Sequence, residues 1–225
     1  MSTGILFDLD GTLLNTLQDI TDASNYILAR YGCPTRSLDE MRHFVGNGAR
    51  HQMRLCLPGK ENDPNLDDVL NDYKVYYDSH CQIKTRPYEG IIRALDRLGR
   101  NHPLGIVSNK PDSTVRQLCS LYFPGIYALG QRDGFPRKPA PQMVRHAMKE
   151  LGADTYIYVG DSEVDVKTAE NAGLVCLSVL WGFRDQAELK QAGAEHYCEK
   201  PEDLADEIEK LCFMLTSGGG VTNGK

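Results

Sequence analysis

Residues 5 to 16, ILFDLDGTLLNT, constrain the fold most: an apolar run suited to a buried strand ends in two carboxylates, a glycine and a threonine. A carboxylate withdrawn from water is costly unless it is paired or holds a cation, so Asp8 and Asp10 demand positive charge from elsewhere in the chain. The pattern recurs. Apolar runs at 103–109 (PLGIVSN), 155–161 (TYIYVGD) and 174–180 (LVCLSVL) have the length and character of further buried strands. The first of these three ends in Ser108 and Asn109, and the second ends in Asp161, with Asp165 four residues later.

Helical stretches alternate with the runs. Thr114 to Tyr122 is one; Gln142 to Leu151 is another, opened by Pro139 and Pro141 and closed by Gly152. Such alternation predicts βαβ units, hence an α/β fold with a Rossmann-like, doubly wound, mainly parallel sheet. Residues 16–84 break the rhythm, because LQDITDASNYILARYG and LDDVLNDYKVYYDSHC read as amphipathic helices with no strand-like run between them. They are expected to form an inserted all-helical cap, entered near Asn15–Thr16 and left near residues 84–90. The α/β core then comprises 1–15 and 85–215. The tail 216–225, TSGGGVTNGK, is too polar and Gly-rich to pack and is expected to be disordered.

Composition removes other classes. A net charge of −6 over 225 residues offers no basic face to nucleic acid, and no run reaches the roughly eighteen apolar residues of a membrane span. The first ten residues lack a basic start followed by an apolar stretch, which predicts a cytoplasmic chain. Seven scattered cysteines without a CxxC pair read as free thiols, and no HxH or HExxH cluster supports a zinc site. Any metal should be held by oxygen.

All strand C-termini of a parallel sheet lie along one edge, so Asp8, Asp10, Ser108, Asn109 and Asp161 are expected to converge there. Asp8 and Asp161 suit Mg²⁺, which binds one or two carboxylates and bridges to phosphate. A carboxylate beside a metal-bound phosphoryl group can attack phosphorus, and Asp8 comes first off the strand. Asp10, on the same face, then serves as general acid and base. Gly11 and Thr12 offer a sharp turn and N–H groups to phosphate oxygens. Ser108 and Asn109 are placed on the phosphate, Lys138 offsets its charge, and Asp165 orients Lys138 or a metal-bound water. A calcium loop is a poor alternative for DLDG, because Asn15 to Asp19 do not supply the further oxygen ligands.

These motifs, DLDGT (8–12), VSN with Ser108, Lys138 and GDSEVD (160–165), resemble those of the haloacid dehalogenase-like hydrolases. The resemblance implies Asp8 as nucleophile, Asp10 as acid/base, Ser108 and Lys138 on the phosphoryl group, and Mg²⁺ held by the Asp8 carboxylate, the Asp10 backbone carbonyl and Asp161. Within the family, GTLLNT (11–16), FVGNGAR (44–50) and RPYEGI (86–91) are similar to phosphoglycolate phosphatases with a helical, C1-type cap. Near residue 15 the family more often has Asp-Ser, and it more often has Asp where Ala140 stands. The glycine-flanked turn suggests Asn47, Gly48 and Arg50 as cap contacts to substrate.

The expected activity is hydrolysis of a small phosphorylated metabolite, with 2-phosphoglycolate foremost. A pyrophosphatase, a sugar-phosphate phosphatase or a β-phosphoglucomutase would use the same core. A receiver-like phosphorylation switch is the reading from another class, and it has no use for some seventy residues of helical cover. Tyr73, Tyr76 and Tyr77, at helical spacing, and Trp181 are read as packing residues.

Overall fold

A computed structural model of the chain describes residues 2–217. Its first strand, β1 (Thr3–Phe7), has no exposed residue, as befits a strand covered on both faces. The strand ends one residue before Asp8, so the carboxylates occupy the turn rather than the ladder. There follow β2 (Leu14–Asn15), α1 (Leu17–Arg30), α2 (Leu38–Phe44), α3 (Ala49–Cys56), α4 (Leu66–His80) and β3 (Arg86–Pro87). The chain continues through α5 (Ile91–Leu98), β4 (Leu104–Pro111), α6 (Asp112–Tyr122), β5 (Tyr127–Gln131), α7 (Gln142–Leu151) and β6 (Thr155–Gly160). It closes with α8 (Glu163–Ala172), β7 (Val175–Val179), α9 (Gln186–Gln191), β8 (His196–Cys198) and α10 (Leu204–Ser217).

Six strands form one sheet in the order β5-β4-β1-β6-β7-β8, every neighbouring pair parallel. From β1 the chain builds outward to β5 on one side, then returns and builds outward to β8 on the other. That reversal puts the switch point between β1 and β6, paired from Thr3↔Thr155 to Phe7↔Val159, where ligands of doubly wound sheets bind. The four apolar runs became β1, β4, β6 and β7. The sequence pattern missed β5 and β8, which occupy the two sheet edges; β8 has three residues and β5 is only partly buried, so neither carries a long apolar signal.

Helices α1 to α4 lie between two short antiparallel strands, with Leu14 opposite Pro87 and Asn15 opposite Arg86. The departing and returning chains therefore leave the core side by side. The buried carboxylate of Asp19 on α1 fixes the return, accepting from the N–H groups of Lys84 and Thr85, each at 2.9 Å. The tyrosines pack as expected, with the Tyr26 and Tyr76 rings stacked at 4.1 Å and Tyr73 and Tyr77 buried. α10 runs to Ser217, so the expected tail does not begin at 216; residues 218–225 lie outside the described residues. Among the described residues no helix is long and apolar enough to cross a membrane. None of the seven cysteines is joined in a disulfide.

Candidate active site

The end of β1 delivers Asp8, the end of β6 delivers Asp161, and the first turn of α8 delivers Asp165; carboxylate oxygens of all three lie within 4.8 Å of one another. Burying three carboxylates together is tolerable only with compensating charge. Lys138 supplies one unit of it. Its Nζ donates to Asp8 at 2.7 Å, to Asp165 at 2.8 Å and to the Tyr158 hydroxyl at 2.8 Å. Burial works against the ammonium, but Asp165 and Asp8 outweigh it and hold its pKa well above the usual lysine range.

Asp165 is committed structurally. Its second oxygen accepts from the Ser162 hydroxyl at 2.6 Å and from the Ser162 N–H at 3.1 Å, closing a capping box at the start of α8. It thus holds Lys138, one of the two roles expected for it. Asp161 is fully buried and, among the described residues, meets neutral donors, the Thr12 hydroxyl at 2.9 Å and the Phe183 N–H at 2.8 Å. Burial, with Asp165 and Asp8 beside it, pushes the Asp161 carboxyl well above its usual range. Burial also pushes Asp8 up to about 7, against the pull of Lys138. Two carboxylates held in this way, one of them without a cationic partner among the described residues, make a donor set that fits a hard divalent cation.

The backbone makes room for Asp161. A Cβ on Gly11, whose φ is +86°, would come within 2.3 Å of its carboxylate oxygen, and one on Gly182 within 2.2 Å of its Cβ. Trp181, beside Gly182, does more than pack. Its indole N–H donates to the Thr12 carbonyl at 3.0 Å and steadies the turn after Asp10.

Several expected phosphate contacts are spent otherwise. The Gly11 N–H is taken by the Leu14 carbonyl at 2.9 Å, whereas at Thr12 it is the hydroxyl, not the N–H expected on phosphate, that serves Asp161. The Asn109 amide donates to the carbonyls of Gly46 and Lys138, at 3.1 and 3.0 Å, and accepts from the Lys138 N–H at 2.8 Å. That side chain locks the Lys138 loop to the helical insertion and has nothing left for phosphate. Ser108 is buried, and its oxygen accepts from the Lys110 N–H at 3.2 Å, which leaves the hydroxyl proton to donate. Arg50 is exposed and pairs with Asp67 within the insertion rather than reaching the site; Gly48 has the positive φ, +84°, of a helix-entry glycine. Asn47 lies half-buried in the same turn.

Three residues absent from the sequence reading belong to this region. Lys110, two places after Ser108, donates to Asp10 at 2.7 Å. Arg184 is buried and reaches the carbonyls of Arg42, His43 and Val45 at 2.7, 3.3 and 3.1 Å, while Arg42 donates to the carbonyls of Phe183 and Gly182 at 2.8 and 3.2 Å. Only the lysine had a sequence signal, its place at the end of an apolar strand run.

The chain belongs to the haloacid dehalogenase-like hydrolases, whose family model matches residues 5–179. Within that family it is a phosphoglycolate phosphatase-like hydrolase. It is 36% identical over 193 residues to a phosphoglycolate phosphatase of Rhodobacter capsulatus, covering 82% of this chain and 87% of that one. Phosphoglycolate phosphatase 1 of Pseudomonas aeruginosa is 31% identical over 222 residues, covering 92% of this chain and 81% of its own. Among solved structures, a phosphoglycolate phosphatase candidate from Lactobacillus delbrueckii subsp. bulgaricus superposes with a TM-score of 0.85 at 34% identity, over 91% of this chain and 97% of that one. CbbY from Rhodobacter sphaeroides, solved in complex with phosphate, shares the fold with a TM-score of 0.77 at 22% identity, over 93% and 100%.

Proposed function

We propose that the protein is a cytoplasmic, Mg²⁺-dependent phosphatase that hydrolyses a small phosphomonoester, with 2-phosphoglycolate as the foremost substrate, through an aspartyl phosphate on Asp8. The observation that carries this reading is the Lys138 ammonium bound to Asp8 inside a buried acidic cluster at the sheet's switch point. Lys138 holds one Asp8 oxygen, orients the carboxylate and offsets the charge of an arriving phosphoryl group. The Asp8 and Asp161 carboxylates, with the Asp10 backbone carbonyl, would hold Mg²⁺, which when bound neutralises phosphoryl charge.

In the first step an Asp8 oxygen bonds to phosphorus as the ester P–O bond breaks, and Asp10 gives its proton to the departing alkoxide oxygen. In the second, the Asp10 carboxylate takes a proton from water as the water oxygen bonds to phosphorus, and Asp8 leaves as a free carboxylate with inorganic phosphate. The Ser108 hydroxyl donates to a phosphoryl oxygen throughout. The relatives named for phosphoglycolate support the substrate.

A phosphate-release screen with Mg²⁺, over 2-phosphoglycolate, pyrophosphate, sugar phosphates and p-nitrophenyl phosphate, tests the reading. The highest kcat/KM is expected on 2-phosphoglycolate. Isomerised sugar phosphate without free phosphate would indicate a mutase instead, and a single phosphorylation without turnover would indicate a switch module.

A further inference from the structure

We propose that Lys110 is the specificity residue of this site, recognising a carboxylate carried one carbon from the ester oxygen of the leaving group. The proposal rests on the reading of the site as a phosphomonoesterase. It begins in β4, whose pairing with β5 is regular through Val107↔Leu129 and then shifts register before Pro111↔Gln131. Within that irregular stretch Lys110 enters the gap between the sheet edge and the helical insertion. Its side chain is 5% exposed, its Nζ lies 2.7 Å from Asp10 and 4.8 Å from the centre of the Tyr77 ring on α4.

An ammonium has three donors, and among the described residues Asp10 is the one carboxylate paired with Lys110. Lys110 lines a cavity of about 40 Å³, walled also by Asp10, Gln52, Tyr73, Lys74 and Tyr77. That volume has room for about three waters, or for a small anionic group in their place. Tyr77 gives an independent sign that the cavity region is incomplete, since its buried hydroxyl has no hydrogen-bond partner among the described residues.

The position gives the cavity its role. Asp10 is the proposed proton donor to the ester oxygen, so the atoms beyond that oxygen must lie on the Asp10 side of the phosphorus, where this cavity is. A second anion placed there meets a desolvated ammonium at Lys110 and the exposed cation of Lys74 at the wall. A neutral leaving group of equal size gains neither interaction. Discrimination built on a buried charged donor exceeds what shape alone provides.

The test compares kcat/KM for 2-phosphoglycolate and 2-hydroxyethyl phosphate, which differ by carboxylate against hydroxymethyl, in the wild type and in Lys110→Met. The wild type is expected to favour the carboxylate on the order of 10²-fold, and the variant to lose about 10²-fold on 2-phosphoglycolate but under about 10-fold on the neutral ester. Equal losses on both esters, or no loss on either, overturn the proposal. Should the variant not fold, competition in the wild type decides: glycolate is expected to inhibit p-nitrophenyl phosphate hydrolysis at least about ten-fold more strongly than ethylene glycol, and equal inhibition overturns the assignment. A wild type inactive on every phosphomonoester would remove the phosphatase reading itself. An active wild type that ignores the carboxylate removes only the role of Lys110.

Discussion

Arg42 on α2 donates to the carbonyl of Phe183 at 2.8 Å, while the N–H of Phe183 donates to Asp161 at 2.8 Å. One core residue thus joins the helical insertion to the carboxylate proposed to hold the cation. Arg184, the next residue, returns the contact by donating to three carbonyls at the end of α2, and Glu163 at the start of α8 balances its charge at 2.8 Å. The insertion is therefore docked by two reciprocal guanidinium groups, each capping backbone carbonyls on the opposite side.

Arg184→Ala removes the bonds that leave the core for α2 and leaves those carbonyls without their donor. We expect a stability loss of about 1–3 kcal/mol, with Glu163 half-exposed and so tolerant of losing its partner. KM should rise more than kcat falls, because positioning of the insertion is disturbed while Asp8 and Lys138 are untouched. Urea denaturation and steady-state kinetics check both; unchanged KM and stability would count against the docking role.

Lys138→Met leaves Asp8 and Asp165 buried without a cation. Turnover should be lost, and the metal-free chain should lose about 3–5 kcal/mol near pH 8. The penalty should shrink toward pH 5, since carboxyls deprived of Lys138 take up protons and become neutral. Denaturant melts at the two pH values read the difference, and a pH-independent penalty would point to lost packing instead.

Asp8→Asn should abolish turnover, because the amide neither attacks phosphorus nor carries charge for the cation. It should also change the pH dependence of stability. Burial raises the Asp8 carboxyl from 3.8 to about 7, so below about 7 the folded chain binds a proton that the unfolded chain has already released. Wild-type stability in the absence of metal therefore falls as pH rises from the usual carboxylate range through about 7. The asparagine variant lacks that contribution, so it should gain on the wild type as pH rises. Thermal melts in chelator from about pH 5 to 8 give the sign.

Arg50→Ala should change kcat/KM by less than about two-fold and stability by less than about 0.5 kcal/mol, because its partner Asp67 is exposed and such pairs are screened by water. A large, selective loss on 2-phosphoglycolate would return Arg50 to the substrate.

Asp8, Asp10 and Asp161 were legible because each ends an apolar run, and a parallel sheet carries every such end to one edge whatever the distance along the chain. The bounds of α7 were legible for a similarly local reason, two prolines before it and Gly152 after it, whose φ is +67°. The edge strands β5 and β8 were not, since short, partly exposed strands carry little apolar pattern. Partner choice lay further out of reach. Asn109 read as a phosphate ligand because it sits beside the carboxylates, yet the fold gives its side chain to Gly46 and Lys138. Lys110 and Arg184 carry no assignment from the sequence, and it is packing that buries them against Asp10 and the end of α2. Burial of an apolar run follows from its own composition and period. The direction of a polar side chain instead depends on which unsatisfied donors and acceptors the rest of the chain brings within about 3 Å of it, and only the assembled tertiary structure determines that.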